Sequence, residues 1–161
     1  MEAWASKMRP LSASEVLKLL PRRAPALFID DILELSETRI VSKYTWKDED
    51  CNGHFPGNPV VPGIKLIEMA AQTGLVSQAI RMLDAADCTL TRVEMGSFKK
   101  MVQPGDTVVC TARPAAPGGS PDAELTAEVA VRFLGGPQDG ETAFTGVISG
   151  RWMPRDTEER T

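Results

Sequence analysis

The chain has 161 residues, 42% of them apolar and 25% charged, with a net charge of −4. That is the size of one domain whose core needs no disulfides, and the acidic balance gives no electrostatic case for binding nucleic acid. One histidine and three scattered cysteines (Cys51, Cys88, Cys110) form no CxxC motif and offer too few ligands for a zinc site; the cysteines read as free thiols in a reducing compartment.

Met1 to Trp4 lacks the basic and apolar regions of a secretory signal, so a cytoplasmic protein is expected. Pro10 to Glu15 opens a short helix. Ser12 or Ser14 can cap it, and Glu15 is placed to complete a capping box with Ser12. Val16, Leu17, Leu19 and Leu20 give the helix an apolar face, and Pro21 ends it. Ile32 to Leu35 reads as a strand. Arg39 to Trp46 reads as a second, with Ile40, Ser42, Tyr44 and Trp46 on one face. Residues 47–63 are too long for a plain connector, and Pro56, Pro59 and Pro62 make them a stiff, ordered loop.

A long helix then runs from Gly63 to Leu83 or Asp84. It is interrupted by Glu68, Gln72, Ser77, Gln78 and Arg81, which makes it a buried core helix and not a membrane span. Four further strands are expected: Thr91–Lys100, Thr107–Arg113, the cleanly alternating Glu124–Phe133, and Thr142–Trp152. Breaker-rich turns separate them at Gln103–Asp106, Pro114–Asp122 and Gly135–Gly140. Residues 154–161 read as a tail on a single domain, 1–161, with its core over residues 10–153. A wholly apolar helix must be covered, and the strands are the only cover available. The implied architecture is α+β, one long central helix wrapped by a curved antiparallel sheet.

Residues 52–72 hold the chemistry. His54 stands in a Gly/Pro-rich loop directly before the long helix. On that helix Lys65, Glu68 and Gln72 fall within about 60° of one another. A snorkelling lysine and a solvated glutamate would suit an amphipathic helix, but this helix leaves little room for a solvated face. Burial of Glu68 would favour its neutral acid, able to give a proton to a leaving hydroxyl. The helix start near Gly63 offers backbone N–H groups for a carbonyl oxygen. A base, an acid and an oxyanion donor are what β-elimination from a 3-hydroxyacyl thioester requires.

The run Gly53-His54-Phe55-Pro56-Gly57-Asn58-Pro59-Val60-Val61-Pro62-Gly63, followed by Ile67-Glu68 and Ala71-Gln72, resembles the active-site segment of the FabZ-type 3-hydroxyacyl-[acyl-carrier-protein] dehydratases. Leu19 to Pro25 with Asp30, Ser97 to Lys100 and Pro104-Gly105-Asp106 agree, so the resemblance spans residues 16–152. It implies the hot-dog fold, and a homodimer as the minimum unit, often a trimer of dimers. It also implies a site in which His54 faces Glu68 of the other protomer. Gly63 matches the position whose N–H binds the thioester carbonyl, and Gln72 a glutamine that supports the acid. Phe55, Pro62 and Ile64 are read with them as substrate-binding. The substrate would ride on the phosphopantetheine of acyl carrier protein, with no metal and no organic cofactor. An acidic carrier calls for basic residues at the tunnel mouth, and Arg22, Arg23, Arg81, Lys99 and Lys100 are the candidates.

Four features depart from the family pattern. Arg22 stands where relatives usually have histidine. Ala24 and Ala26 lie where aromatic residues are favoured. Asp48 to Asn52 replaces a stretch with two adjacent phenylalanines, and Lys65 replaces an aliphatic residue. These changes suggest a reshaped acyl pocket and a substrate of secondary-metabolite or polyketide type. Glu68, where isomerising relatives carry aspartate, favours simple dehydration. The competing readings are a hot-dog acyl thioesterase and a non-catalytic partner subunit of a dehydratase complex.

Overall fold

Ser12 caps the first helix as its position implies. Its hydroxyl accepts from the Glu15 N–H at 3.2 Å, and its own N–H donates to the Glu15 carboxylate at 2.7 Å. Helix α1 spans Ala13–Leu19 and buries Val16. The computed structural model describes residues 11–115 and 124–155. The expected hairpin tip beyond Ala115 and the last six residues of the expected tail lie outside them.

Six strands follow: β1 (Asp31–Leu35), β2 (Ile40–Thr45), β3 (Ala85–Phe98), β4 (Thr107–Pro114), β5 (Leu125–Phe133) and β6 (Thr142–Pro154). They form one antiparallel sheet in the order β1-β2-β4-β5-β6-β3. Period-two patterning decides which face meets the core: Leu125, Ala127, Val129, Val131 and Phe133 are buried along β5, and Ile40, Ser42, Tyr44 and Trp46 along β2 and just past it. No helix among the described residues is long and apolar enough to cross a membrane.

The long helix lies in the concave side of this sheet. It comprises α2 (Gly63–Ala71), a π turn (Gln72–Val76) and α3 (Ser77–Leu83), and every residue from 69 to 80 is buried. Helix and sheet pack tightly at Gly74, where an added Cβ would stand 3.1 Å from the Ala112 methyl and 3.2 Å from that of Ala127. The π turn differs from the plain helix that the sequence implies. Thr73 donates to the Met69 carbonyl and Ser77 to the Gln72 carbonyl, so hydroxyls serve carbonyls where the helical ladder widens. In a helix apolar on all sides, a one-residue widening disturbs no hydrophobic period, so nothing in the pattern marks it.

Strand β3 begins at Ala85, six residues before the expected Thr91. Asp84 takes a left-handed conformation (φ 49°) that ends the helix, and the chain turns directly into pairing with β6. Ala85, Ala86 and Asp87 have poor strand propensity, and tertiary pairing overrides it. The strand also stops at Phe98, so Lys99 and Lys100 lie beyond it. Within the loop 47–63, Asp48–Cys51 forms a 3-10 turn.

Gly150 sets the spacing between β6 and β3. A Cβ there would stand 2.8 Å from the Thr89 carbonyl oxygen and 2.9 Å from Cys88 Sγ. Backbone cannot step aside as a side chain can, so Gly150→Ala should lower stability by about 1–3 kcal/mol. Urea denaturation checks this, and an unchanged midpoint would contradict the packing described.

Candidate active site

The loop that carries His54 is shaped by two left-handed glycines, Gly53 (φ 79°) and Gly57 (φ 73°). A Cβ at either would meet nothing within 4 Å, so backbone conformation, not space, calls for glycine there. The His54 N–H donates to the Cys51 carbonyl, the His54 carbonyl accepts from Val60, and the Phe55 and Asn58 backbones bond each other twice. The His54–Phe55 peptide is cis, and the two rings stack at 4.1 Å.

This loop fixes the imidazole. His54 Nδ1 lies 2.8 Å from the Val60 carbonyl oxygen. A carbonyl only accepts, so Nδ1 carries the proton and the neutral ring holds its lone pair on Nε2. Nε2 has no partner among the described residues, so the basic nitrogen is the unoccupied one.

Helix α2 starts at the last residue of the loop, Gly63, with Pro62 as its cap. The Gly63 N–H finds no acceptor among the described residues, as the first amide of a helix does not. Phe98 closes over Gly63 so tightly that an added Cβ would stand 2.7 Å from its ring. Pro62 is half-buried, whereas Ile64 is 74% exposed and Phe55 54%.

One turn further on, Glu68 and Gln72 share a hydrogen bond of 3.0 Å as i, i+4 neighbours. Gln72 is fully buried. Its Oε1 accepts from the Phe28 N–H at 2.9 Å, and its Nε2 donates to the Ala26 carbonyl at 2.8 Å and to Glu68 Oε1. Phe28 N can only donate and Ala26 O can only accept, so the amide has one possible orientation. Gln72 thereby clamps the segment 22–28 to the central helix.

Glu68 is not the buried acid that the sequence implies. Its side chain is 35% exposed, and Arg22 Nε lies 2.8 Å from Oε1. Arg22 Nη1 lies 2.8 Å from Asp87 Oδ1 on β3. Burial alone would lower the Arg22 pKa, but Asp87 and Glu68 together outweigh it and hold the guanidinium above its usual range. Glu68 Oε1 therefore has two donors, while Oε2 has none among the described residues. Lys65 also leaves the expected polar stripe. Its Nζ donates to the Asp50 carbonyl at 2.7 Å and lies over the Phe28 ring.

The basic residues proposed for carrier contact separate into groups. Arg22 is bound to two carboxylates and does not project to solvent. Arg23 reaches back to the Leu20, Arg22 and Lys18 carbonyls and caps the end of α1. Arg81 sits half-buried in the last turn of α3 against Met82 Sδ, about 27 Å along the helix axis from Gly63. Lys99 and Lys100 are exposed beside Met101 and Gln103, with Lys100 paired to Glu141 at 3.0 Å.

Two residues that sequence reasoning did not place, and one that it placed in another role, prove structural to the site. Asp87 anchors Arg22, yet nothing in the run Ala85–Cys88 announced it. Asp50 is 2% exposed and accepts from the Tyr44 hydroxyl at 2.8 Å and the Lys47 N–H at 2.9 Å, pinning the unusual 48–52 segment. Burial, with the Asp50 bond next, pushes the Tyr44 hydroxyl above its usual range. Arg22, read from the sequence as a departure from the family pattern and as a carrier contact, is instead tied to Glu68 and Asp87.

Comparison with known proteins bears on the family and the fold. The ApeI-like family (ApeI dehydratase) matches residues 36–129. The 3-hydroxyacyl-[acyl-carrier-protein] dehydratase FabZ of Oenococcus oeni is 41% identical over 103 residues, 61% of this chain and 73% of the relative. FabZ of Lactococcus lactis is 34% identical over 106 residues, 64% of this chain and 70% of the relative. Among solved structures, the dehydratase heterocomplex ApeI:P of Xenorhabdus doucetiae has a TM-score of 0.67 at 16% identity, covering 95% of this chain and 96% of that one. A mutant thioesterase of Pseudomonas aeruginosa has a TM-score of 0.68 at 11% identity, covering 91% and 97%. At such identities these structures bear on the fold alone, and they agree with a sheet wrapped around one helix. The family match and the identity to these relatives place the chain among the FabZ-type and ApeI-like dehydratases of the hot-dog fold.

Proposed function

We propose that the chain removes water from a (3R)-3-hydroxyacyl thioester carried on the phosphopantetheine of acyl carrier protein, giving the trans-2-enoyl thioester. His54 Nε2 takes the proton from C2, and the electron pair of that C–H bond forms the C2=C3 double bond. The C3–O bond breaks, and Glu68 gives its proton through Oε2 to the departing hydroxyl, which leaves as water. The Gly63 N–H holds the thioester oxygen while charge builds on it. Proton return from His54 to Glu68 through solvent resets the site, so this route calls for no cofactor. The observation that carries the reading is the pair of atoms, Nε2 and Oε2, left without a partner among the described residues while their neighbours are tied to the protein.

The working unit is proposed to be a homodimer, alone or as a trimer of dimers, with His54 of one chain opposite Glu68 of the other. Strand β3 supports this. It is 14 residues long and lies at the edge of the sheet, where an unpaired strand invites another chain. Its Phe98 is 54% exposed and packs directly on Gly63, next to the exposed Ile64. Lys99 and Lys100 remain as the cations offered to a carrier. The Asp48–Asn52 segment is the proposed source of altered acyl preference.

Mass spectrometry on a panel of straight, branched and aryl 3-hydroxyacyl carriers tests the function. Loss of water from at least one class is expected. Rates typical of fatty-acid synthesis on straight chains of several lengths would remove the case for an altered substrate. One observation favours a second reading: a carboxylate beside a guanidinium suits activation of water, as a thioesterase requires. Release of free thiol without enoyl product would favour that reading.

A further inference from the structure

Arg22 touches the proposed acid from outside the loop and helix that carry the family motif. It follows Pro21 at the end of α1, on the same segment whose Ala26 carbonyl and Phe28 N–H are held by Gln72. Its side chain is only 22% exposed, and the guanidinium joins two elements: Nε to Glu68 Oε1 on the helix and Nη1 to Asp87 Oδ1 on β3, both at 2.8 Å. Asp87 is itself held, because Oδ1 accepts from the Cys88 N–H at 2.7 Å. The fork therefore has a fixed base in the sheet and a fixed reach to the carboxyl.

We propose that Arg22 is a positioning residue for the elimination, pinning Glu68 by Oε1 so that Oε2 alone meets the substrate and receiving the negative charge Glu68 acquires when it gives up its proton. This rests on the dehydratase reading of Glu68. Three features favour it over a tie that merely joins loop to sheet. The link to Asp87 would by itself join the loop to β3, yet the same guanidinium also reaches the carboxyl. Gln72 Nε2 supplies a second donor to the same oxygen, so both supports converge on Oε1 and none on Oε2. The cation also stands where charge develops: once Glu68 has given up its proton, its carboxylate lies beside a guanidinium already in place, which favours the late state over the early one. Lysine could supply the charge but not two donors in a rigid plane.

The test is a double-mutant cycle on the purified full chain. Arg22→Gln should lower kcat about 10- to 100-fold with KM within about twofold, as expected for loss of one charge-assisted bond acting in the transition state. Arg22→Lys should recover part of that loss. Asp87→Asn, which loosens the base of the fork and leaves Arg22 in place, should give a smaller fall in kcat. In a Glu68→Gln background, Arg22→Gln should cause no further loss, because it acts through that carboxyl. Losses that multiply in the double variant, or an unchanged kcat in Arg22→Gln, would overturn the proposal. The 13C signal of the Glu68 carboxyl, assigned by its absence in Glu68→Gln, provides a reading independent of turnover. If the parent protein has no dehydratase activity and this signal still moves in Arg22→Gln, the functional reading fails while the positioning contact stands. If turnover is present and neither kcat nor the signal responds, Arg22 has no such role.

Discussion

His54→Asn is expected to fold normally and to lose about 100- to 10,000-fold in turnover, the usual contribution of a general base. Asparagine can still donate to the Val60 carbonyl, so the loop keeps the bond that His54 Nδ1 makes at 2.8 Å. What disappears is the lone pair on Nε2. The substitution thus separates the base from its scaffold. Glu68→Gln should fall by a similar factor, since an amide still accepts from Arg22 and Gln72 but cannot give up a proton at Oε2. Steady-state rates on the best carrier substrate, with circular dichroism to confirm folding, measure both. Near-parental kcat in either variant would refute the assigned roles.

Gln72→Leu is expected to damage stability and turnover together. Leucine fills the space but leaves the Phe28 N–H and the Ala26 carbonyl without partners in the interior. Each orphaned group costs about 1–3 kcal/mol, so stability should fall by roughly 2–6 kcal/mol. The segment 22–28 is then held to the helix mainly through Arg22, and Glu68 Oε1 keeps one donor instead of two. Turnover should fall even at temperatures where the variant remains folded. Gln72→Glu sharpens the result: it restores an acceptor for Phe28 but removes both donors and sets a second carboxyl beside Glu68. Urea denaturation and kcat measured on the same preparations check this. A Gln72→Leu variant as stable as the parent would mean the clamp does not hold the segment.

The fold was readable where one signal dominated. Alternation along β5 and the capping box of Ser12 and Glu15 named their elements because local pattern and tertiary demand agree there. The start of β3 was not readable, because Ala85 to Asp87 become strand through pairing with β6 and not through their own propensity. In the site, the Gly53–Gly63 loop and Glu68 could be found from sequence, since glycine, proline and lone polar residues in an apolar helix stand out. The ion pair could not. Arg22, Glu68 and Asp87 are separated by 46 and 19 positions, and a salt bridge between distant residues leaves no local spacing to detect. Expecting Glu68 to be shielded by apolar burial followed from the helix alone, and it failed because the neighbouring segment supplies a guanidinium. Arg22 and Arg23 looked alike as basic residues in sequence, yet one holds the acid and the other caps a helix.

Subunit complementation tests the central claim, that His54 and Glu68 from two chains make one site. A heterodimer is purified with His54→Ala in one chain and Glu68→Ala in the other, each chain carrying its own tag. Two-fold symmetry puts both substitutions into one site and leaves the other intact, so about half the parental turnover per dimer is predicted, from two homodimers that are each inactive. A heterodimer as inactive as both homodimers would contradict the two-chain site.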